Sequence, residues 1–181
     1  MEALSRPDFF TQQELDLLPS VGLQVPKSSS DVRAILAALV LGSVIEVSMT
    51  DGATTTGEFE VVEELIEHLE DEFELASRER LQEIGTEMGM VPFIEGQWSR
   101  EQFRQARMLL AIALDRLDEE NAHKLRGVIA KYCYEVAKAS GGLLKITNIS
   151  DQEEHILQEI ARTLRLETTA EGLHLISRTK S

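Results

Sequence analysis

The sequence predicts an all-α protein, with about seven helices in one compact, bundle-like domain. Two observations support this. Apolar residues recur at spacings of three and four along most of the chain, which is the period of an amphipathic helix. No segment alternates between apolar and polar residues for long enough to indicate a sheet. With 181 residues, 43% of them hydrophobic, the chain is long enough to bury a core of its own.

The pattern divides the chain into three parts. Residues 1–30 are expected to form a loosely ordered N-terminal segment with one short helix, which ends before Pro19. Residues 31–165 form the predicted helical domain. Residues 166–181 form a C-terminal tail, for which a last helical turn and a short extended arm both remain open.

The first helix of the domain is predicted from the apolar stretch at residues 34–49, with Ser30 or Asp31 as its cap. This stretch is apolar on all sides, which is typical of a fully buried central helix. It is interrupted by Glu46 and is shorter than the ~20 residues that a membrane span needs.

The other helices are predicted from their first turns and their apolar stripes. A Ser or Thr followed three residues later by Glu or Gln forms a capping box, which marks a helix start. The four predicted boxes are Thr11–Glu14, Thr55–Glu58, Ser99–Gln102 and Ser150–Glu153. The helix after the second box has a stripe of Phe59, Val62, Ile66, Leu69 and Phe73. A shorter helix should end near Gly89, and the helix after "DEEN" should end at the Gly141–Gly142 pair.

The Gly141–Gly142 pair is interpreted as a helix end and not as a phosphate-binding loop. No strand precedes it, and Lys145 does not occupy the lysine position of a P-loop. Glycine after a helix is typical of a C-terminal cap in the left-handed conformation.

Net charge and cysteine content restrict the partners and the compartment. The formal charge of −14 argues against a nucleic-acid partner, because the phosphate backbone would repel such a surface. We expect neither a secretory signal nor a membrane span. A single cysteine, Cys133, excludes an internal disulfide, fits a cytoplasmic location and is expected to be a buried structural thiol.

Two acidic turns are candidates for a divalent-cation site. Asp51 and Glu58 surround one helix start, and Asp151 and Glu154 lie at another. Together they would supply oxygen ligands for Ca²⁺ or another divalent cation, although the spacing does not match an EF-hand loop. The alternative is that these acids only complement the dipoles of their helices.

A similar order of features recurs around residues 51–64 and 141–154, which suggests two related helical halves. If the halves pack as a pseudo-twofold pair, the two acidic turns could lie close together.

The helix after Thr55 also has an almost wholly acidic outer face with no Lys or Arg among its acids. A cation or a basic partner would relieve the repulsion along it. These acids are Glu60, Glu63, Glu64, Glu67, Glu70, Asp71, Glu72 and Glu74.

The segment "VAKASGGLLKITNISDQEEHIL" resembles the C-terminal part of the TerB-like family, named for a tellurite resistance protein. The matching residues are Val136, Ala137, Ala139, Ser140, Gly141, Gly142, Ile149, Ser150 and Glu153. The turn "MTDGATTTGE" is similar to the family's Asp-Gly turn through Asp51, Gly52 and Glu58. The resemblance spans roughly residues 31–165.

The resemblance implies an all-helical fold of two related halves with acidic clusters that bind divalent cations. It also implies a role in stress responses, including tellurite resistance, alongside protein partners at or near the inner membrane face. By position, Asp51 and Glu58 would belong to one cluster and Asp151 and Glu154 to the other. The chain departs from the family where Thr and Gly replace acids after Asp51, and where Lys145 lies near the second turn.

Three functions therefore stay open at the level of the sequence. The first is a non-enzymatic, cation-responsive binding module of a stress-resistance system. The second is a protein–protein adaptor whose acids contact a basic partner and have no metal role. The third, a hydrolase using carboxylates and a metal, lacks a recognisable catalytic motif; no catalytic residue and no organic cofactor are expected.

Overall fold

A computed structural model describes residues 2–6, 8–51, 55–84, 98–140 and 149–178. Within these ranges the chain has eight α-helices and no strand, which confirms the all-α prediction. The helices are α1 Gln12–Leu17, α2 Ser29–Ser48, α3 Thr56–Phe73, α4 Arg78–Ile84, α5 Arg100–Arg116, α6 Glu119–Ser140, α7 Asp151–Leu164 and α8 Ala170–Arg178. Short 3-10 turns cover Glu2–Ser5, Leu18–Val21, Met49–Asp51 and Leu166–Thr168.

Helix α2 lies at the centre of the bundle, as its sequence predicts. Every residue from Ala34 to Ser48 is buried. Helices α3, α4, α5, α6 and α7 all pack against it. A helix that is apolar all round needs such complete cover, because any open side would expose apolar surface to water. In the described part of the chain, no helix is both long and apolar enough to cross a membrane.

All four predicted capping boxes are present. In each box the Ser or Thr side chain accepts a hydrogen bond from the backbone N–H of the Glu or Gln three residues later. The side chain of that Glu or Gln accepts a hydrogen bond from the backbone N–H of the Ser or Thr. The predicted cap of α2 was wrong. Ser28 is the cap, with its hydroxyl 3.2 Å from Asp31 N, while Ser30 and Asp31 are already helical. Because three serines follow one another at residues 28–30, the sequence alone does not show which of them caps the helix.

Helix α3 packs against α6 through the predicted stripe, with one exception. Val62, Ile66, Leu69 and Phe73 are buried, but Phe59 is 39% exposed. Glu58 takes the inward position of the first turn and is only 1% exposed. Phe59, one residue later, is rotated by about 100° around the helix and faces outward.

Both ends of the chain contribute to the core. Leu4, Phe9 and Phe10 of the N-terminal segment are buried. The guanidinium of Arg116 on α5 bonds to both carboxylate oxygens of Glu14 at 2.5 and 2.7 Å, and this contact lowers the pKa of Glu14. The C-terminal tail takes the helical alternative and forms α8, which packs on α6. The helix end predicted near Gly89 lies outside the described residues.

Gly172 on α8 permits a very close approach to the preceding turn. A Cβ atom at this position would lie 1.8 Å from the carbonyl oxygen of Leu166. A Cβ at Gly127 on α6 would lie 3.1 Å from a carboxylate oxygen of Glu171, whose exposed side chain can move away.

We therefore expect Gly172→Ala to lower the free energy of unfolding by about 1–3 kcal/mol, because the backbone around Leu166 must shift. Gly127→Ala is the matched control and should be neutral, or stabilising by up to ~1 kcal/mol through helix propensity. Urea denaturation followed by circular dichroism measures both. Equal effects of the two substitutions would contradict the close approach of α8.

Candidate functional site

The helix that carries the second acidic turn contacts the segment that carries Asp51 of the first. Helix α7 contacts the Met49–Asp51 turn at the end of α2. A Cβ built on Gly57, in the first turn of α3, would lie 3.7 Å from the Cβ of Ala139 near the end of α6. Helix α7 therefore contacts the turn that ends in Asp51, and the start of α3 contacts the end of α6; both contacts join segments far apart in sequence.

The starts of α3 and α7 share one construction. The backbone N–H of Thr55 donates to Glu58 Oε2 at 2.6 Å, and that of Ser150 donates to Glu153 Oε2 at 2.7 Å. Both glutamates are at most 2% exposed. The two helices therefore start from turns that are fixed by a buried carboxylate.

The four predicted cation ligands differ in their surroundings. Asp51 is the last residue of its 3-10 turn, but its side chain lies outside the described part. Glu58 is turned inward as a cap. Asp151 is exposed in the first turn of α7, and half-buried Glu154 accepts from Gln158 Nε2 at 2.9 Å. Of the four, Asp151 and Glu154 lie on the helix that contacts the turn ending in Asp51, and Glu58 is committed to its cap.

Among the side chains that the structure describes, no group of three or more His, Cys, Asp or Glu is arranged to hold a metal ion. Gly141, Gly142 and Lys145, which the sequence placed next to the second turn, lie outside the described residues.

The outer face of α3 carries the predicted acids, and a few of them are paired. Glu63 pairs with Arg78, Glu74 lies 3.9 Å from Arg33, and Glu72 lies 3.3 Å from His68. Five exposed acids, Glu70 among them, have no ion-pair partner within the described ranges, and four of the five fall on one stripe, because their spacing of four, three and four follows the helical turn. We call these four the acidic stripe: Glu60, Glu64, Glu67 and Asp71.

A buried ionic cluster lies at the centre of the fold, and the sequence interpretation missed it. Arg107 Nη1 on α5 bonds to both carboxylate oxygens of Glu46 on α2, at 2.9 and 2.8 Å. Arg107 Nη2 lies 3.2 Å from Glu159 Oε2 on α7. The signal was present in the sequence, because Glu46 interrupts an apolar helix and Arg107 falls on the apolar stripe of α5, four residues after Phe103.

Burial determines the electrostatics of this cluster. Burial and the nearby charge of Glu159 raise the pKa of Glu46 from 4.5 to about 7, although Arg107 opposes the shift. Burial also raises the pKa of the Cys133 thiol on α6, and the charge of Glu46 adds to the shift. Cys133 is fully buried, as its sequence context predicts.

Comparison of the chain with protein-family models, with curated proteins and with solved structures found no match.

The shared construction of the two turns has a measurable consequence for stability. We expect Thr55→Ala and Ser150→Ala each to lower the free energy of unfolding by about 0.5–2 kcal/mol, because each leaves a helix start without its cap. Thr56→Ala is the matched control, since Thr56 is exposed in the first turn of α3 and should tolerate alanine. Urea denaturation gives the three values. A loss as large for Thr56→Ala as for Thr55→Ala would contradict the role of the cap.

Proposed function

We propose that the chain is a non-enzymatic, TerB-like binding module of a stress-response system such as tellurite resistance. In this proposal it responds to divalent cations that bind at the two acidic turns. The observation that supports this proposal is that α7, which carries Asp151 and Glu154, contacts the turn that ends in Asp51.

The chemistry of the donors supports a hard cation. Carboxylate oxygens are the ligands that Ca²⁺ and Mg²⁺ prefer. Asp151 is exposed and Glu154 is half-buried on the first turn of α7, so both are accessible from solvent. Glu58 fits less well as a ligand, because one of its oxygens already accepts from the N–H of Thr55. In this proposal Glu58 shapes the turn, and Asp51, Asp151 and Glu154 supply the carboxylate oxygens.

A cation bound at both turns would join the end of α2 to the start of α7. Since α2 packs against five helices, the bound ion would stabilise the whole domain. Its binding could in this way be communicated to a protein partner, without any catalytic step.

We expect millimolar Ca²⁺ or Mg²⁺ to raise the melting temperature. A ligand at ten times its dissociation constant adds about 1.4 kcal/mol to the free energy of unfolding. The double variant Asp151→Asn, Glu154→Gln should lose this response, because it removes two carboxylates from the site. Isothermal titration calorimetry and thermal melting with each cation measure the effect.

The control variant Asp16→Asn, Glu167→Gln makes the same change in net charge at two exposed acids. Glu167 follows the opposite end of α7, about 20 Å along the helix from Asp151. The control should keep the full response. If the native protein shows no response, or if both variants lose it equally, there is no specific site at the two turns.

A second candidate, a protein adaptor with no metal role, is favoured by the acidic stripe of α3. Its four acids are exposed and lack ion-pair partners among the described residues, so the stripe presents a line of negative charge about 17 Å long. A basic segment of a partner would be attracted to it and would relieve the repulsion between the acids.

We expect a lysine-rich peptide to bind the native protein, and to bind less well as the salt concentration rises from 50 to 200 mM, because salt screens exposed charges. Neutralising the acidic stripe (Glu60→Gln, Glu64→Gln, Glu67→Gln, Asp71→Asn) should abolish binding in fluorescence anisotropy. A control that neutralises four other exposed acids should retain it: Asp8→Asn, Asp16→Asn, Glu119→Gln and Glu167→Gln. Equal losses in both variants would show only a general effect of net charge.

A further inference from the structure

The buried cluster of Glu46, Arg107 and Glu159 has an unbalanced charge. Three helices contribute one residue each, with Glu46 on α2, Arg107 on α5 and Glu159 on α7. The side chains of Glu46 and Arg107 are 7% and 6% exposed, and that of Glu159 is 42% exposed. When all three are ionised, two carboxylates share one guanidinium and the cluster has a net charge of −1.

A net charge in such a site favours the uptake of a proton. Removing a carboxylate from water disfavours its ionised form, and a second carboxylate nearby disfavours it further. Of the two acids, Glu46 is the one cut off from solvent, while Glu159 reaches the surface. The proton is therefore expected on Glu46, which agrees with its raised pKa of about 7.

We propose that Glu46, Arg107 and Glu159 form a proton-linked clamp, which holds α7 against α2 and α5 most firmly when Glu46 is protonated and loosens when that proton leaves. With Glu46 protonated, the Arg107–Glu159 ion pair joins α5 to α7 without a competing buried charge. With Glu46 ionised, the two carboxylates repel each other across Arg107, and release of α7 removes this repulsion and opens Glu46 to water.

The direction of the pH dependence follows from linkage. The pKa of Glu46 is raised in the folded state, so protonated Glu46 stabilises the docked α7 fully below pH 4.5. This stabilisation falls as the pH rises and is lost above about pH 7. The carboxylates with lowered pKa values, such as Glu14 and Asp31, act in the opposite sense and at more acidic pH. The interval from pH 6 to 8 therefore reports on the clamp.

Among the residues that the structure describes, few charged or titratable groups face Glu46. Arg107 comes from α5, Glu159 from α7 and Cys133 from α6. Glu159 in turn has His155 Nε2 at 3.5 Å, on the exposed surface of α7. The clamp requires neither His155 nor cation binding at the two acidic turns.

Two measurements on the 181-residue chain test the clamp. The first is the pH titration of the Glu46 side-chain carboxyl carbon by NMR, in the native chain and in Glu159→Gln. We expect a midpoint near 7 in the native chain. A lower midpoint is expected in Glu159→Gln, because the repelling charge is gone. A native midpoint at or below 4.5 would overturn the proposal, since Glu46 would then be ionised throughout.

The second measurement is amide hydrogen exchange of α7 in the native chain and in Glu46→Gln. A shift in the pKa of Glu46 from about 7 with α7 docked to 4.5 with α7 released predicts protection factors about tenfold lower at pH 8 than at pH 6. In Glu46→Gln, which cannot ionise there, the protection should not change between these pH values. His155→Gln is the matched control and should behave as the native chain does.

Amides of α3, which contributes no residue to the cluster, provide the internal reference. An equal fall in the protection of α3 and α7 would mean that the proton acts on global stability and not on α7, and the clamp would be wrong. The same conclusion follows if α7 protection is independent of pH in the native chain, or if His155→Gln removes the pH dependence. If Glu46→Gln does not fold, the Glu46 titration and the native α7-to-α3 comparison still decide the question.

Discussion

The complete burial of α2 is the constraint on which the rest of the fold depends. A helix that is apolar on every side is stable in water only if other helices cover all of its faces, and each buried aliphatic side chain contributes about 1.5–3 kcal/mol when it is covered. Five helices pack against α2. Their apolar stripes face inward, their polar faces point outward, and the start and end of α2 determine where the flanking turns lie.

The same burial explains why the interior contains charge. Glu46 lies on a helix with no side open to water, so its carboxylate needs a hydrogen-bonding partner within the protein. Arg107 supplies the donors, and Glu159 uses a further N–H of the same guanidinium. A buried pair of this kind adds little net stability, but it fixes which faces of α2, α5 and α7 meet, because any other arrangement leaves a buried charge without a partner.

The local features were predictable from the sequence, and the features formed by distant segments were not. The four capping boxes and the buried α2 follow from spacing and polarity within one helix. The prediction that Phe59 is buried was wrong. Helical spacing allowed either Glu58 or Phe59 to begin the buried stripe of α3, and the apolar character of Phe59 favoured that residue. The Glu46–Arg107 contact joins residues 61 positions apart, and no short-range pattern pairs them. For the acidic turns, the sequence predicted Glu58 both as part of a capping box and as a cation ligand, and no short-range pattern showed that its side chain is buried as a cap.

The buried position of Cys133 allows the opening of the core to be measured through the reactivity of its thiol. The thiol is fully buried on α6, with Sγ 4.0 Å from the carbonyl oxygen of Ser43 on α2, and its raised pKa suppresses the reactive thiolate. A thiol reagent therefore reaches this sulfur only when the core around α6 opens. Because the chain has one cysteine, the rate of modification under native conditions measures the opening of the core at one residue, without any label having to be introduced.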